Sequence, residues 1–335
     1  MLWVLGVLLG LILLVPGVAW WELIRMPGRS HCGPLPPPDD TLMALTQELR
    51  RDIYFLATDI GERNVLNCPR QLAQAAEYIE SELRAEGYDV RRQRYTAVGV
   101  ECSNLEVEIS GSARPKEVVV IGAHYDTVWG SPGANDNTSG VAAVLALART
   151  FSERKPKRTL RFVAFANEEP PFFHTEDMGS LVYARRCAER SERIVAMLSL
   201  ETIGYFSDSP ASQKYPPPFG RLFPSAGDFI FFVGNFKSRR LVRRAIRAFR
   251  RSEPFPSQGA APPESLVPGV GLSDQWSFWR AGYPALMVTD TAMYRYPNYH
   301  ERGDTFDKID FDRMARVVRG LESVVAAIAG VRRVR

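Results

Sequence analysis

Apolar residues recur every three or four positions along much of the chain, which is the spacing of helices with one buried face. The stripe from Leu42 to Leu56 predicts one helix. Pro69 predicts the start of a second helix, which ends before Gly87. A last amphipathic helix is predicted at 312–329. Further helices are expected between these at 138–151, 179–189 and 238–251.

Runs of consecutive apolar residues lie between the predicted helices. Such runs are typical of strands that are covered on both faces. Two strands with more polar positions are predicted before them, near 89–96 and 104–110. Strands that alternate with helices indicate an α/β fold, a three-layer α/β/α sandwich with a mostly parallel central sheet. The apolar runs occupy 118–121, 160–165, 194–200, 229–233 and 285–288.

An uncharged apolar stretch precedes this domain and occupies residues 2–21. At about 1.5 Å per helical residue, it is as long as a bilayer core is thick. Two tryptophans end the stretch, and indole rings favour the membrane interface. The small residues Gly17 and Ala19 also resemble the cleavage site of a signal peptide. Residues 1–24 are therefore predicted to be a transmembrane anchor or a signal segment.

A Pro- and Gly-rich segment, 25–40, follows the apolar stretch and is predicted to be an extended linker. The remaining residues, 41–335, have a length that fits one large domain. The sequence thus predicts a protein that is either attached to a membrane through its N-terminal segment or exported, and it leaves the orientation open.

Composition excludes several classes of protein. Of the 335 residues, 45% are hydrophobic and 24% are charged, as in ordinary globular domains. The net charge of +4 is too small to indicate a nucleic-acid partner, and the arginine-rich run at 239–244 is interpreted as a solvated helix face. The four cysteines lack the CxxC spacing of a zinc ribbon, and both free thiols and disulfides fit them.

Histidine and acidic residues follow several predicted strands directly. Ligands of parallel α/β sheets bind beyond the carboxyl ends of the strands, so we expect these side chains to converge at one edge. Burying so many acids and imidazoles together is unfavourable without a cation. Imidazole and carboxylate ligands suit Zn²⁺ or another divalent first-row metal. The residues are His124, Asp126, Asp136, Glu168, Glu169, Glu201 and His300.

Five short motifs around these residues resemble the successive metal-site motifs of the M28 family of zinc aminopeptidases. They occur in the family's order, and the resemblance covers residues 45–330. It implies that 41–335 is a zinc peptidase domain that acts on a peptide substrate. The motifs are GAHYDT at 122–127, GANDNTSG at 133–140, FANEE at 165–169, LSLETIGY at 198–205 and NYHERGDT at 298–305.

The resemblance implies two zinc ions per chain. Each ion would take one histidine and one glutamate, and one aspartate would bridge the two ions. The pairs are His124 with Glu201 and His300 with Glu169, and the bridging residue is Asp136. Many family members carry Asp where this chain has Glu201, which keeps the ligand chemistry but lengthens the side chain by one methylene.

The resemblance also assigns two acids that do not bind metal. Glu168 would be the general base, which takes a proton from the activated water and returns it to the leaving amine. Asp126 would orient the His124 imidazole, as metal-bound histidines commonly require. Because consecutive side chains at a strand end diverge, Glu168 can face the water while Glu169 binds metal.

Other features of the family pattern are altered or unassigned. Gln275 stands where the family often carries His, and an amide cannot titrate. Long loops at 205–227 and 252–271 are expected to form walls of a substrate pocket, and their aromatic residues favour a hydrophobic substrate side chain. An oxyanion-stabilising tyrosine is not assigned among the candidates Tyr205, Tyr294, Tyr296 and Tyr299.

The complete ligand set favours an aminopeptidase that removes N-terminal residues from peptides. A glutaminyl-cyclase-like acyltransferase is an alternative, because such enzymes resemble this family in fold and site. A catalytically inactive ectodomain that only binds is the alternative outside enzymes, since a fold alone does not imply activity.

Overall fold

The structure, a computed structural model, describes residue 17 and residues 22–216, 219–267 and 269–331. Within those ranges helices and strands alternate along most of the chain. The helices are α1 (Asp40–Tyr54), α2 (Pro69–Ala85), α3 (Gly140–Phe151), α4 (Gly179–Glu189), α5 (Arg239–Ser252), α6 (Gln275–Arg280) and α7 (Phe311–Ala329). The strands are β1 (Arg91–Ala97), β2 (Val100–Ile109), β3 (Arg114–His124), β4 (Arg158–Phe165), β5 (Arg193–Glu201), β6 (Ile230–Gly234), β7 (Ser257–Ala260) and β8 (Ala285–Thr289).

The named strands form one 8-stranded sheet in the order β1-β2-β4-β3-β5-β8-β6-β7. The central strands β4, β3, β5 and β8 run parallel, as do β6 and β7. Antiparallel pairs join β1 to β2, β2 to β4, and β8 to β6. The mixed α/β class with a mostly parallel sheet is confirmed. Because the central strands are parallel, their carboxyl ends meet at one edge.

Both faces of the central strands are covered. On β3, Val119 and Ile121 belong to a large hydrophobic cluster that includes residues of α1, α2, α3, α5 and α7. The alternate residues Val118 and Val120 belong to a smaller cluster that includes residues of α4 and α6. Side chains of a strand point alternately to opposite faces, so an apolar run without alternation matches a strand between two helical layers.

Several helix ends follow from the sequence. Asp39 accepts a hydrogen bond from the Leu42 amide at 2.8 Å and caps α1, which is the usual role of an acid at that position. Pro69 begins α2, where its missing amide proton costs nothing. Gly87 follows α2 with φ +82°, as predicted for the residue after a helix end.

The structure corrects the prediction in two places. The segment 252–271 was expected to be irregular, but it contains the short strand β7. The run at 229–233 was expected among the parallel strands, but β6 runs antiparallel to β8. Both elements lie at one end of the sheet. β7 is four residues long, too short to show a periodicity, and the apolar run of β6 carries no information about the direction of the strand.

The predicted anchor or signal segment lies almost wholly outside the described residues, which omit 1–16 and 18–21. Among the helices within the described ranges, none is both long and apolar enough to cross a bilayer. The Pro- and Gly-rich segment that follows lies against the domain. Met26 is buried, Arg250 donates to the Gly28 carbonyl at 3.0 Å, and Arg316 donates to the Pro36 carbonyl.

We expect Gly179→Ala to lower the free energy of unfolding by about 1–3 kcal/mol, the usual cost of overpacking. An alanine Cβ at this position would lie 2.1 Å from the Ala166 carbonyl oxygen, which is backbone and cannot rotate away. Gly220→Ala is the matched control, because nothing lies within 4 Å of its Cβ position. Urea unfolding followed by circular dichroism measures both, and equal midpoints would contradict the packing argument.

Candidate active site

The structure brings the five predicted metal ligands together at the carboxyl edge of the central strands. The last residues of β3 and β5 are His124 and Glu201. Glu169 follows β4 closely, and Asp136 lies at a kink in the segment Ala134–Ser139, which leads into α3. His300 comes from the loop between β8 and α7. Residues far apart in sequence therefore converge because their strands are neighbours.

The distances divide these ligands into two sets that share Asp136. The His124 Nε2 atom lies 3.3 Å from Asp136 Oδ1 and 3.2 Å from Glu201 Oε2. The His300 Nε2 atom lies 3.2 Å from Asp136 Oδ2 and 3.2 Å from Glu169 Oε2. Each oxygen of Asp136 thus faces a different histidine, which is the arrangement of a bridging carboxylate.

The donor set fits zinc. Ligands about 2.0 Å from a tetrahedral ion are separated by about 3.3 Å, close to the measured separations of 3.2–3.3 Å. Asp136 Oδ2 and Glu169 Oε1 are buried and have no hydrogen-bond partner among the described atoms, although His300 Nε2 is near the first. Buried carboxylate oxygens without partners are costly, and a cation would satisfy them.

The raised pKa values of the carboxyl groups in the site are a consequence of the same excess of buried negative charge. Burial, and after it the nearby Asp136 carboxylate, raises the pKa of Glu169 to about 8. Burial also raises the pKa of Glu168 and of Glu201 above the ordinary value. Burial alone would lower the pKa of His300, but hydrogen bonds with Asp136 and Glu169 outweigh it and raise the pKa to about 10. Without metal, protons neutralise this cluster.

Asp126 connects two of the strand ends that carry ligands. Its carboxylate accepts hydrogen bonds from the backbone amides of Glu168 and Glu169 at 3.0 and 3.1 Å. Its backbone carbonyl lies 3.2 Å from His124 Nδ1, and its nearest carboxylate oxygen lies 3.5 Å from the same atom. The predicted contact with the His124 ring is therefore present, and the carboxylate also fixes the backbone of the two glutamates.

Asp304, like Asp126, fixes two backbone amides of the site, and it was not among the residues predicted from the sequence. It accepts hydrogen bonds from the backbone amides of Asn135 and Asp136 at 2.8 and 2.9 Å, and the Tyr296 hydroxyl donates to it at 2.9 Å. Burial raises its pKa to about 7. Its position four residues after His300, inside the NYHERGDT motif, is the sequence feature that could have identified it. An Asp that follows Gly, however, resembles an ordinary turn residue.

Asn137 and Ser273 complete the support of Glu201. The Ser273 hydroxyl donates to Glu201 Oε2 at 2.7 Å, and the Asn137 side-chain amide lies 3.2 Å from the same oxygen. The Gln275 side-chain amide donates to the Val270 carbonyl at 3.0 Å. Its neighbour Asp274 is buried, and burial raises the pKa of its carboxyl to about 7.

An apolar cavity of about 120 Å³ opens beside Glu201. Residues of both long loops line it, including Tyr215 and Phe219 from 205–227 and Val267 from 252–271, which confirms that these loops form pocket walls. Of the four candidate tyrosines, Tyr294 and Tyr299 also line the cavity. Tyr299 stacks on the His300 ring with centroids 3.9 Å apart, whereas the Tyr296 hydroxyl is bonded to Asp304.

Comparison with known proteins identifies the family. The model described as Peptidase family M28 matches residues 104–325, which include every predicted site residue. The chain belongs to peptidase family M28. Membership confirms the prediction of a zinc-dependent metallopeptidase that was made from five short motifs.

This M28 chain is similar in sequence to known relatives and similar in fold to solved structures. Uncharacterized protein YfbL of Escherichia coli strain K12 is 35% identical over 293 residues, which cover 85% of this chain and 88% of that protein. BSAP, a zinc aminopeptidase from Bacillus subtilis, has a TM-score of 0.67 at 15% identity, covering 86% of this chain and 95% of that one. The glutaminyl cyclase of Fimbriiglobus ruber has a TM-score of 0.61 at 19% identity, covering 89% and 98%. At these identities the two structures show a shared fold.

We expect zinc to stabilise this M28 chain more strongly as pH rises. The pKa values of Glu169 (about 8), Asp304 (about 7) and His300 (about 10) are raised, so the folded metal-free chain binds more protons than the unfolded chain between about pH 4 and pH 10. The stability from these groups is therefore present at low pH and lost as pH rises through those values. The pKa of Asp136 is lowered, and its contribution is lost only in acid.

Thermal melts with chelator and with added zinc, at about pH 6 and about pH 8, measure this effect. The melting temperature of the chelated chain should be lower at about pH 8 than at about pH 6. The increase on adding zinc should be larger at the higher pH, because ligands must lose their protons before they bind metal. The same zinc-induced increase at both pH values would contradict the proton–metal exchange.

Proposed function

We propose that this chain is an aminopeptidase that holds two zinc ions and removes N-terminal residues from peptides. The observation that carries the proposal is the shared position of Asp136, whose two oxygens lie 3.3 and 3.2 Å from Nε2 of His124 and His300. One ion would take His124, Glu201 and Asp136, and the other would take His300, Glu169 and Asp136. Zinc bound there would activate a water molecule for attack and polarise the scissile carbonyl.

Glu168 is the proposed general base. Its carboxylate is buried, and Oε2 lies 3.8 Å from His124 Nε2, at the edge of the ligand set. Because burial raises its pKa well above the ordinary value, the carboxylate is a stronger base than an exposed glutamate. It would take the proton of the attacking water and return it to the nitrogen of the leaving amine.

The choice of an N-terminal residue follows in this proposal from the same acidic cluster. Zinc held through Glu169 Oε2, the oxygen 3.2 Å from His300 Nε2, would leave the buried Oε1 without a hydrogen-bond partner among the described atoms, so Oε1 could accept a hydrogen bond from a substrate α-ammonium group. An N-acetylated substrate lacks that charge. Discrimination against acetylated substrates would therefore come from an unpaired buried acceptor, which is a strong source of selectivity.

The cavity beside Glu201 is the proposed pocket for the side chain of the residue that is removed. Its walls are mostly apolar, with contributions from Phe231, Val267 and Met287. Burial of an apolar side chain is favourable there, whereas a cationic side chain would lose its hydration. We therefore propose a preference for hydrophobic N-terminal residues.

We propose in addition that residues 1–24 anchor the enzyme in a membrane or direct its export. The uncharged sequence of residues 2–21 supports this proposal. The catalytic domain would then lie close to the membrane or outside the cytoplasm.

We expect Glu168→Gln to reduce turnover roughly 10²–10⁴-fold through loss of the general base, while zinc content stays unchanged. Glu176→Gln is the control, because Glu176 is an exposed residue of the same loop. The assay compares free and N-acetylated aminoacyl amides with and without chelator. Cleavage of only the free-amine substrates, lost with chelator and in the variant, supports the proposal.

Two other results of that assay would contradict the proposal and assign a different function. Cyclisation of N-terminal glutamine peptides by a chain with one bound zinc would assign a glutaminyl-cyclase-like reaction. A folded, zinc-loaded chain without either activity would assign a binding domain.

We expect Val267→Asp to shift the preference from leucine amide toward lysine amide by about tenfold or more, because it places a carboxylate in the pocket wall. Leu266→Asp is the matched control, since Leu266 is 70% exposed and does not line the cavity. The ratio of kcat/KM for the two amides measures the shift. A wild-type chain that cleaves lysine amide faster than leucine amide would contradict the proposed pocket.

A further inference from the structure

Helix α5 exposes a continuous stripe of arginines. At about 100° per residue, positions 240, 244, 247 and 251 lie within a narrow sector, and all four side chains are exposed. The buried residues of the helix, Val242, Ala245, Ile246 and Phe249, point to the other side. The helix therefore has one buried apolar face and an exposed face that carries a row of positive charge.

The flank of the same helix holds the segment that follows the N-terminal apolar stretch. Arg243 donates to the Arg25 carbonyl at 2.7 Å, and Arg250 donates to the Gly28 carbonyl at 3.0 Å. Arg239 lies 3.5 Å from the Glu22 carboxylate. Glu22 directly follows the uncharged residues 2–21. The chain thus passes from the apolar stretch to the domain along α5.

The exposed face of α5 itself carries no acidic residue. No Asp or Glu occurs between positions 229 and 252, and the side chains of Arg240, Arg247 and Arg251 form no ion pair with a carboxylate in the described ranges. Before the helix begins, Phe236 is 45% exposed. An exposed aromatic ring beside a row of arginines is typical of a surface that contacts both headgroups and the acyl boundary of a membrane.

We propose that the exposed arginine stripe of α5 binds an anionic lipid surface. The net charge of the whole chain is only +4, so the attraction is local to this face. The exposed Phe236 and the apolar stretch that directly precedes Glu22 in the sequence favour a lipid surface over nucleic acid, which offers no apolar phase. This surface is separate from the acidic site, and the proposal does not depend on the peptidase activity.

The test measures partition of the full-length chain into vesicles. Phosphatidylcholine vesicles are compared with vesicles that also contain phosphatidylserine, over a range of lipid concentrations, and bound chain is separated by flotation. Partition should be stronger for the anionic vesicles, and the difference should shrink at about 0.5 M salt, where screening shortens the range of the charges.

The main variant replaces Arg240, Arg247 and Arg251 with Gln. It leaves Arg244 in place, because Arg244 donates to the Ala327 carbonyl. Each arginine near an anionic surface strengthens binding about fivefold, so the three changes should weaken partition into anionic vesicles roughly 100-fold. Partition into neutral vesicles should stay the same. The control variant replaces the exposed residues Arg70, Arg94 and Arg190 with Gln, which changes the net charge equally.

Several results would overturn the proposal. One is equal partition of the wild-type chain into neutral and anionic vesicles. Another is equal weakening in the two triple variants, which would indicate an effect of net charge alone. Tighter binding to a DNA duplex than to anionic vesicles, lost in the main variant, would assign the stripe to nucleic acid instead. Unchanged melting temperatures establish that the variants are folded.

Discussion

Mutual repulsion among buried carboxylates is the constraint on which the rest of this structure depends. Asp136, Glu168, Glu169 and Glu201 lie together at the carboxyl edge of the sheet, where burial removes the water that would otherwise screen them. Two imidazoles offset only part of that charge. Such a cluster persists when the backbone of each acid is held in place and when a cation is available, and the fold provides the first condition for Asp136, Glu168 and Glu169.

The residues around the cluster meet that condition mainly through hydrogen bonds to backbone amides. Asp126 fixes the amides of the two adjacent glutamates, and Asp304 fixes those of Asn135 and Asp136. Each of these carboxylates adds negative charge to a region that already has too much. Their presence therefore raises the demand for a cation while making the ligand positions rigid, which favours a preorganised metal site over one that forms on binding.

The sequence predicted the framework of the fold because long periodic elements and buried strands leave a clear pattern. It also predicted that the candidate ligands meet at one edge, as the structure shows, since parallel topology decides where the carboxyl ends of the strands lie. It missed β7, which is four residues long, and α6, which is six residues long. It missed Asp304 as well, because an Asp that follows Gly inside the NYHERGDT motif resembles an ordinary turn residue. Contacts of the segment 25–40 depend on tertiary packing, and composition alone indicated an extended linker.

A residue near the N-terminus of the chain forms part of the wall of the cavity beside the acidic cluster. Ile24 lines it together with residues of the long loops, and it lies only a few positions beyond the N-terminal apolar stretch. The Ala261 amide donates to the Leu23 carbonyl at 2.9 Å, and Ala260, the residue before Ala261, lines the same cavity. A backbone hydrogen bond therefore holds this part of the wall in place. The cavity is not built by the long loops alone, because a residue that precedes the first helix of the domain completes its lining.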